Sequence, residues 1–417
     1  MQKWQKRLVL FLASQTITMM GSLVVAYAVM WYITIKTSSG MMMMISVLCN
    51  CIPQILISPL AGVWADRYNR KLLVICSDLF VACVTLLLAI LWLKGHTSYT
   101  LMFVIMALRS FGAGIQQPAV SAILPQIVPV ENLTRVNAIF TTITSLLTLL
   151  APALGGILLA AGFVNALFFD VGTAAIGVTV LAFLPLAKIE KTADSFSSIW
   201  GELKGGLVYV WRNDCLRFMM IFYAIGFFLV APASYLTPIL VERVYGPEIW
   251  RLTANEISWS LGAIFGGVII AAWGGFKNRI FSMGFSFMFF GITFTALGLM
   301  SHFWIYLAIM LLSGLFLPMF TTAETTLIQE KTDPQMMGRV FSIVNIIITA
   351  VMPIAMLVLG PLADVIDVRY IIVISGVMMA ATSLYVMLNK KLLALDDTGR
   401  PDLRKDRSLT KILGETD

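Results

Sequence analysis

Twelve stretches of roughly 20 or more mostly apolar residues, each bounded by charged or turn residues, take up most of this 417-residue chain. A bilayer core about 30 Å thick needs roughly 20 apolar residues per helix, and lipid offers no partner to an open backbone N–H or C=O. The chain is therefore expected to fold as an all-α polytopic membrane protein. A hydrophobic share of 59% and a mean hydropathy of +0.89 agree, because both exceed what a water-soluble globule carries. The predicted spans are 8–35, 40–65, 72–94, 98–124, 134–161 and 164–187, then 215–241, 252–274, 280–300, 303–328, 338–363 and 369–389. The opening MQKWQKRLVLFLASQ has the charged start of a signal peptide. Its apolar run continues to about Ile35, beyond the 7–15 residues of such a segment, so it is read as a retained first span.

Basic residues set the expected orientation. Lys3, Lys6, Arg7, Arg67, Arg70, Lys71, Arg135, Lys188, Lys191, Lys204, Arg212, Arg217, Lys277, Arg279, Lys331, Arg339 and the tail from Lys390 to Lys411 fall on one side. Only Lys36, Lys94, Arg243, Arg251 and Arg369 fall on the other. Both termini are thus expected on the cytoplasmic side, where the net charge of +7 faces acidic lipid headgroups and no nucleic acid is needed to explain it. The five cysteines show neither a disulfide framework nor metal-ligand spacing, and the NLT sequon at Asn132 faces the cytoplasm in this orientation.

One long polar interruption, 188–214, divides the spans six and six. Phe196, Ile199, Trp200, Leu203, Leu207 and Val210 recur within it at near-helical spacing, as in a helix lying on the inner interface. The expected organisation is a first bundle (1–187), a linker with an amphipathic helix (188–214), a second bundle (215–389) and a basic tail (390–417). The halves match weakly at a shift of about 204 positions, which pairs TRVNAI at Thr134 with GRVFSI at Gly338 and Gly156 with Gly360. Two pseudo-symmetric six-helix halves joined by a cytoplasmic loop are a transporter architecture, with the substrate site near the midplane.

Charge is scarce, at 12% of residues, yet GVWADRYNRK (62–71) gathers Asp66, Arg67, Arg70 and Lys71 on one short turn. A positive-inside anchor accounts for the bases but leaves Asp66, which sits at the unfavourable dipole end of a helix and calls for a specific partner. In the fourth span LRSFGAG places Arg109 about eleven residues from the outer end, where an arginine costs roughly 2.5–3.5 kcal/mol and must face a cavity or a counter-ion. In the fifth, APALGGIL combines Pro152, which removes a backbone hydrogen bond, with Gly155 and Gly156, which permit close helix approach. Three acidic residues stand out within or at the ends of spans: Asp170, about seven residues into the sixth, Glu256 near an outer end and Glu324 towards an inner end. A carboxylate held away from water can exchange a proton near neutral pH, and Arg109, Asp170 and Glu324 are the candidates for that coupling. Asp170 is placed first among the carboxylates because of its depth. Gln15, Tyr27, Trp31, Tyr223 and Phe227 are candidate substrate contacts, although most aromatics and methionines of such a chain serve packing.

Gly62, Asp66, Arg67, Arg70 and Lys71 match the G-x-x-x-D-R-x-x-R-K core of the signature loop of the major facilitator superfamily, which the chain resembles over nearly its whole length. The resemblance implies that the loop aspartate latches the cytoplasmic side near the start of the eleventh span, around Met337–Arg339, and that Arg109 belongs to proton coupling. Asn69 stands where many members have glycine; both tolerate a left-handed turn, so the same bend is expected. The second-half loop GGFKNR (Gly274 to Arg279) has no aspartate. Pro152, Gly155 and Gly156 resemble the P-x-x-G-G end of the antiporter motif, with Ala151 replacing its usual glycine. RSFGAGIQQPAVSAILPQIVP (Arg109 to Pro129), GRVFSI and GPLADV narrow the resemblance to the drug:proton antiporter branch that includes macrolide-efflux proteins.

The implied function is efflux of a small amphiphilic compound across a bacterial cytoplasmic membrane by a monomer. A proton gradient supplies the energy and no cofactor is involved. No G-x-x-x-x-G-K-[ST] phosphate loop is present to support ATP hydrolysis. The same scaffold would serve an exporter of a native metabolite such as a siderophore, or a lysolipid flippase. An intramembrane enzyme is disfavoured, since the two histidines, His96 and His302, fall at outer helix ends away from any nucleophile or metal-ligand set.

Overall fold

The computed structural model describes residues 3–185 and 196–397, and the described residues contain 12 helical stretches long and apolar enough to cross a membrane. The chain forms two compact units, one of Met1–Ala193 with Val241–Ile257 and one of Asp194–Leu240 with Ser258–Asp417. Residues 241–257, from the seventh and eighth spans, thus group with the first half of the chain.

The first unit holds α1 (Lys3–Thr37), α2 (Gly40–Arg67), α3 (Arg70–Leu93), α4 (Tyr99–Ile127), α5 (Leu133–Ala161) and α6 (Phe163–Ala182). Its principal contacts are α2 on α4, α1 on α6 and α5, and α3 on α4 and α6. Apolar residues at nearly every position let these helices be buried on one side and face lipid on the other; Phe11, Val74, Ala119 and Ile123 are in the protein core, while Leu56, Leu72 and Ile157 are exposed. The starts of α2 and α3 are fixed by side-chain caps. Ser39 accepts from Met42 N–H at α2, and Asn69 accepts from the N–H groups of Lys71 and Leu72 at α3. Asn69 has φ −65° and ψ 107°, so the expected left-handed bend is replaced by an extended capping residue. An asparagine gives its side-chain oxygen to the helix start, which a glycine has no means of doing.

The second unit contains α7 (Phe196–Arg212), α8 (Asp214–Tyr235), α11 (Arg279–Leu299), α12 (Phe303–Leu315), α13 (Leu317–Lys331), α14 (Met337–Val365), α15 (Val368–Leu388) and the short α16 (Lys390–Leu393). The seventh span continues from α8 into α9 (Thr237–Tyr245), and the eighth is α10 (Ile249–Trp273). Two spans expected to be continuous are therefore broken. The seventh is interrupted at Leu236 and the tenth at Phe316, each just before a helix carrying a proline (Pro238, Pro318) in its first turn. Proline is tolerated there because the first N–H groups of a helix have no intrahelical acceptor, whereas within a continuous helix it would remove the bond to the carbonyl four residues back.

The linker helix is present as α7. Tyr209 and Val210 are buried, whereas Leu207, grouped with Val210 in the sequence pattern, is 51% exposed beside Trp211. Gly206 sets this face: a Cβ there would stand 3.0 Å from Arg339 Cβ and 3.0 Å from Ile343 Cδ1, so α7 lies directly on α14. The other predicted apolar positions, Phe196 to Leu203, have side chains outside the described residues, as does the tail beyond 397.

Candidate functional site

Arg109 finds its partner within the first unit. The guanidinium of Arg109 on α4 forms an ion pair with the Asp170 carboxylate on α6, and Asp170 is 1% exposed. The same guanidinium donates to the Thr85 hydroxyl of α3, and Thr85 donates to Asp170 Oδ2 at 3.1 Å. From α1 the exposed Ser22 hydroxyl reaches Asp170 Oδ1 at 3.5 Å. Four helices thus converge on one buried charge pair, and each contributes a polar atom to it.

Glycine makes this convergence possible. A Cβ at Gly21 would lie 2.0 Å from Thr173 Oγ1 and 2.9 Å from Asp170 Oδ1, so α1 reaches α6 at this level only without a side chain. The LRSFGAG motif works the same way: a Cβ at Gly112 would meet Val81 at 2.6 Å, and one at Gly114 would meet Ile57 at 2.4 Å. Ser110 bridges α2 and α4 by donating to the Asn50 carbonyl at 2.5 Å and accepting from Gln54 N–H at 3.2 Å. The motif therefore locks α4 between α2 and α3, with Arg109 directed at Asp170.

The bases of the signature loop act on helix ends. Arg70 donates through Nε to the Ala65 carbonyl (2.9 Å) and through Nη1 to the Ala122 carbonyl (2.8 Å), joining α2 and α4. Lys71 Nζ donates to the Ala182 and Leu184 carbonyls at 2.7 and 2.8 Å, capping α6. The final carbonyls of a helix lack intrahelical donors and carry its partial negative charge, so cations are the natural caps. Arg67 is exposed, Gly62 has open space about it, and the Asp66 side chain lies outside the described residues.

The loop between α10 and α11 lacks an aspartate, and the carboxy-terminal segment supplies one. Asp396, in the 3₁₀ turn Ala394–Asp397, accepts the Arg279 N–H on Oδ2 at 2.8 Å. Asn278 donates to the Leu393 carbonyl at 2.9 Å, Lys331 donates to the Asp396 carbonyl, and Arg279 pairs with Glu330 at 3.7 Å.

In α5, Gly155 lies against α1, with a built Cβ 3.4 Å from both Tyr27 Cβ and the Val24 carbonyl; at Gly156 a Cβ would come 2.2 Å from Thr253 Oγ1. The prolyl residue of this motif, Pro152, is inside the helix. Glu256 is half-buried in α10 and accepts from Asn255 at 3.1 Å. Glu324 is half-buried in α13 and belongs to the second unit with Tyr223, so it does not share a unit with Arg109 and Asp170. Of the expected substrate contacts, Gln15, Trp31 and Tyr223 are fully buried, while Tyr27 and Phe227 are half-buried. Trp31 lies 5.4 Å from Tyr27 ring to ring within α1, and Tyr223 lies 5.8 and 5.5 Å from the rings of Phe227 and Phe320.

Sequence reading missed Asp78. It lies inside the predicted third span, is 6% exposed, and accepts from Gln116 Nε2 at 2.5 Å. The signal was a seven-residue recurrence, Lys71–Asp78–Thr85, on an otherwise apolar helix; two helical turns place all three on one face.

The family model of the Major Facilitator Superfamily matches residues 9–356. Macrolide efflux protein A of Streptococcus pyogenes is 26% identical over 397 residues, covering 94% of this chain and 98% of that relative. Macrolide efflux protein A of Enterococcus faecalis is 28% identical over 326 residues, covering 76% and 99%. Among solved structures, a bacterial homologue of the iron transporter ferroportin in an inward-facing state has a TM-score of 0.69 at 17% identity, covering 93% of this chain and 100% of that one, a likeness of fold. Twelve spans, a signature loop whose bases tie helix ends, an arginine on the fourth span paired with a buried aspartate and a family match across most of the sequence lead to one assignment: this chain is a multi-pass membrane transporter of the major facilitator superfamily, and not an enzyme.

Proposed function

We propose that this protein is a secondary active transporter that expels an amphiphilic compound such as a macrolide in exchange for protons. The observation that carries this reading is the pairing of Arg109 with the buried Asp170, in a chain that is 26% identical over 94% of its length to a macrolide efflux protein. Ionisable residues within membrane spans are costly and mark functional elements by default, and a network of four helices about one carboxylate is the kind of element whose rearrangement substrate and proton can both bias. In this reading the protein works as a monomer in the bacterial cytoplasmic membrane, both termini are cytoplasmic, and the proton gradient is the energy source. Each charge entering down 100 mV yields roughly 2.3 kcal/mol. The asymmetry of Lys and Arg between the loops supports that orientation.

Accumulation of radiolabelled erythromycin in bacteria producing the protein tests it. Producing cells should hold several-fold less label than cells carrying an empty vector, and a protonophore should raise them to the control level. Equal accumulation in both, with the protein present in the membrane, would refute macrolide efflux; a difference that survives the protonophore would refute proton drive.

A further inference from the structure

Among the described residues of the first unit, Asp78 and Asp170 are buried, and their surroundings differ. Asp170 has a guanidinium and two hydroxyls. Asp78 has one neutral amide: Gln116 meets Oδ1, while Oδ2 is buried and without a hydrogen-bond partner. The cations of the neighbouring elements are engaged elsewhere. On α3 itself Lys71 caps α6 and Arg70 binds the carbonyls of Ala65 and Ala122; on α4 Arg109 is held by Asp170 and Thr85; α2 brings Arg67, exposed at its end. The titratable group of α6 in this region is Asp170, a like charge.

The polar groups form rungs seven residues apart, about 10.5 Å along each helix. Thr85, Arg109 and Asp170 make one rung. Asp78 and Gln116 lie seven residues from Thr85 and Arg109, and α6 brings Gly177 to the corresponding position. The second rung thus repeats the first without its cation. An ionised carboxylate taken out of water without a counter-charge costs several kcal/mol, which one neutral amide does not offset, whereas a carboxylic acid is far cheaper to bury.

Resting on the proposed proton-driven function, we infer that Asp78 is the group that carries the exchanged proton, held against Gln116 in this conformation, while Asp170 stays ionised on Arg109. With the Gln116 amide turned so that its oxygen faces Asp78, the same contact is an O–H···O bond donated by the protonated carboxyl. Gln116 is half-buried, so the amide that meets Asp78 belongs to a side chain with some exposure, unlike Asp78 itself. The step is a simple exchange. One O–H bond forms at Asp78 when a proton arrives from one side of the membrane and breaks when it leaves to the other, and the negative charge left behind needs a counter-charge, which the neighbouring cations, engaged elsewhere, do not supply in this conformation. Gln116 is a positioning residue for that proton.

Infrared difference spectroscopy of the purified full-length protein at neutral pH tests this without any substrate. Wild type should show a protonated-carboxyl C=O band that shifts in D2O, is lost in Asp78→Asn and persists in Asp170→Asn. Gln116→Leu, which keeps the carboxyl, should shift the band without abolishing it. A band undiminished in Asp78→Asn would overturn the inference, as would its loss in Asp170→Asn alone. Size-exclusion elution and circular dichroism identify any variant that fails to fold; if Asp78→Asn does, the Gln116→Leu shift decides. In proteoliposomes, Asp78→Asn should exchange erythromycin downhill at a rate independent of pH and should not accumulate it uphill; retained uphill accumulation would overturn the inference. Should the band follow Asp78 while wild type moves no erythromycin, the proton site stands and the macrolide reading falls.

Discussion

Arg109→Gln is expected to abolish gradient-driven transport and to destabilise the first unit. Glutamine has no charge to offer, so Asp170, 1% exposed, would be left with the hydroxyls of Thr85 and Ser22 alone. Removing one partner of a buried ion pair costs about 3–5 kcal/mol, less whatever Asp170 recovers by taking up a proton. Arg109→Lys should retain part of the function, since it keeps the charge but loses the fork that binds Asp170 and Thr85 together. The double variant Arg109→Gln, Asp170→Asn separates the two effects: without a charge left unpaired it should regain most of the thermal stability and still fail to couple. Melting of the purified proteins in detergent, beside uptake in vesicles, measures both. Full gradient-driven transport by Arg109→Gln would reduce the pair to a packing element.

Joint replacement of Arg70 and Lys71 by alanine should have a comparably large effect by another route. Together these side chains donate to four carbonyls at or near the ends of α2, α4 and α6. Hydrogen bonds to charged groups contribute about 1.5–3 kcal/mol each, so the two side chains matter on the scale of the stability of the whole unit. Membrane levels of the double variant should fall severalfold and transport should fall with them. Arg67→Ala, which alters an exposed side chain of the same loop, should leave both near wild type. Equal loss from Arg67→Ala would mean that the loop acts through its total charge as a topological anchor and not through these helix-end bonds.

The spans were legible because lipid imposes a length and an apolarity that a sequence displays directly. Within them, the details that escaped depend on contacts between distant residues. The interruptions at Leu236 and Phe316 follow from proline a few positions later, yet mean hydropathy is blind to them. The packed face of α7 is set by Gly206, which scores as neither apolar nor polar, so hydropathy alone does not separate the buried Val210 from the exposed Leu207. Arg109 and Asp170 each advertised a need for a partner by being charged in a membrane span, and the fold supplies them to each other. Asp78 gave the same signal, but its nearness to the basic turn at Arg70 and Lys71 hid it among loop charges. Asn69 shows the limit of substitution logic: it replaces glycine by capping α3 and not by copying its backbone. Asp396, far along the chain from the loop it completes, left no mark on any local pattern.

The central claim is that outward movement of the compound and inward movement of protons are one process. Purified protein in liposomes enclosing a pH-sensitive dye measures it directly. Erythromycin added to one side, with no gradient imposed, should drive protons across in the opposite direction, and the proton flux should vanish in Arg109→Gln and in Asp78→Asn. Erythromycin flux from wild type with no accompanying change in dye signal, or the same proton flux from Arg109→Gln, would contradict the account.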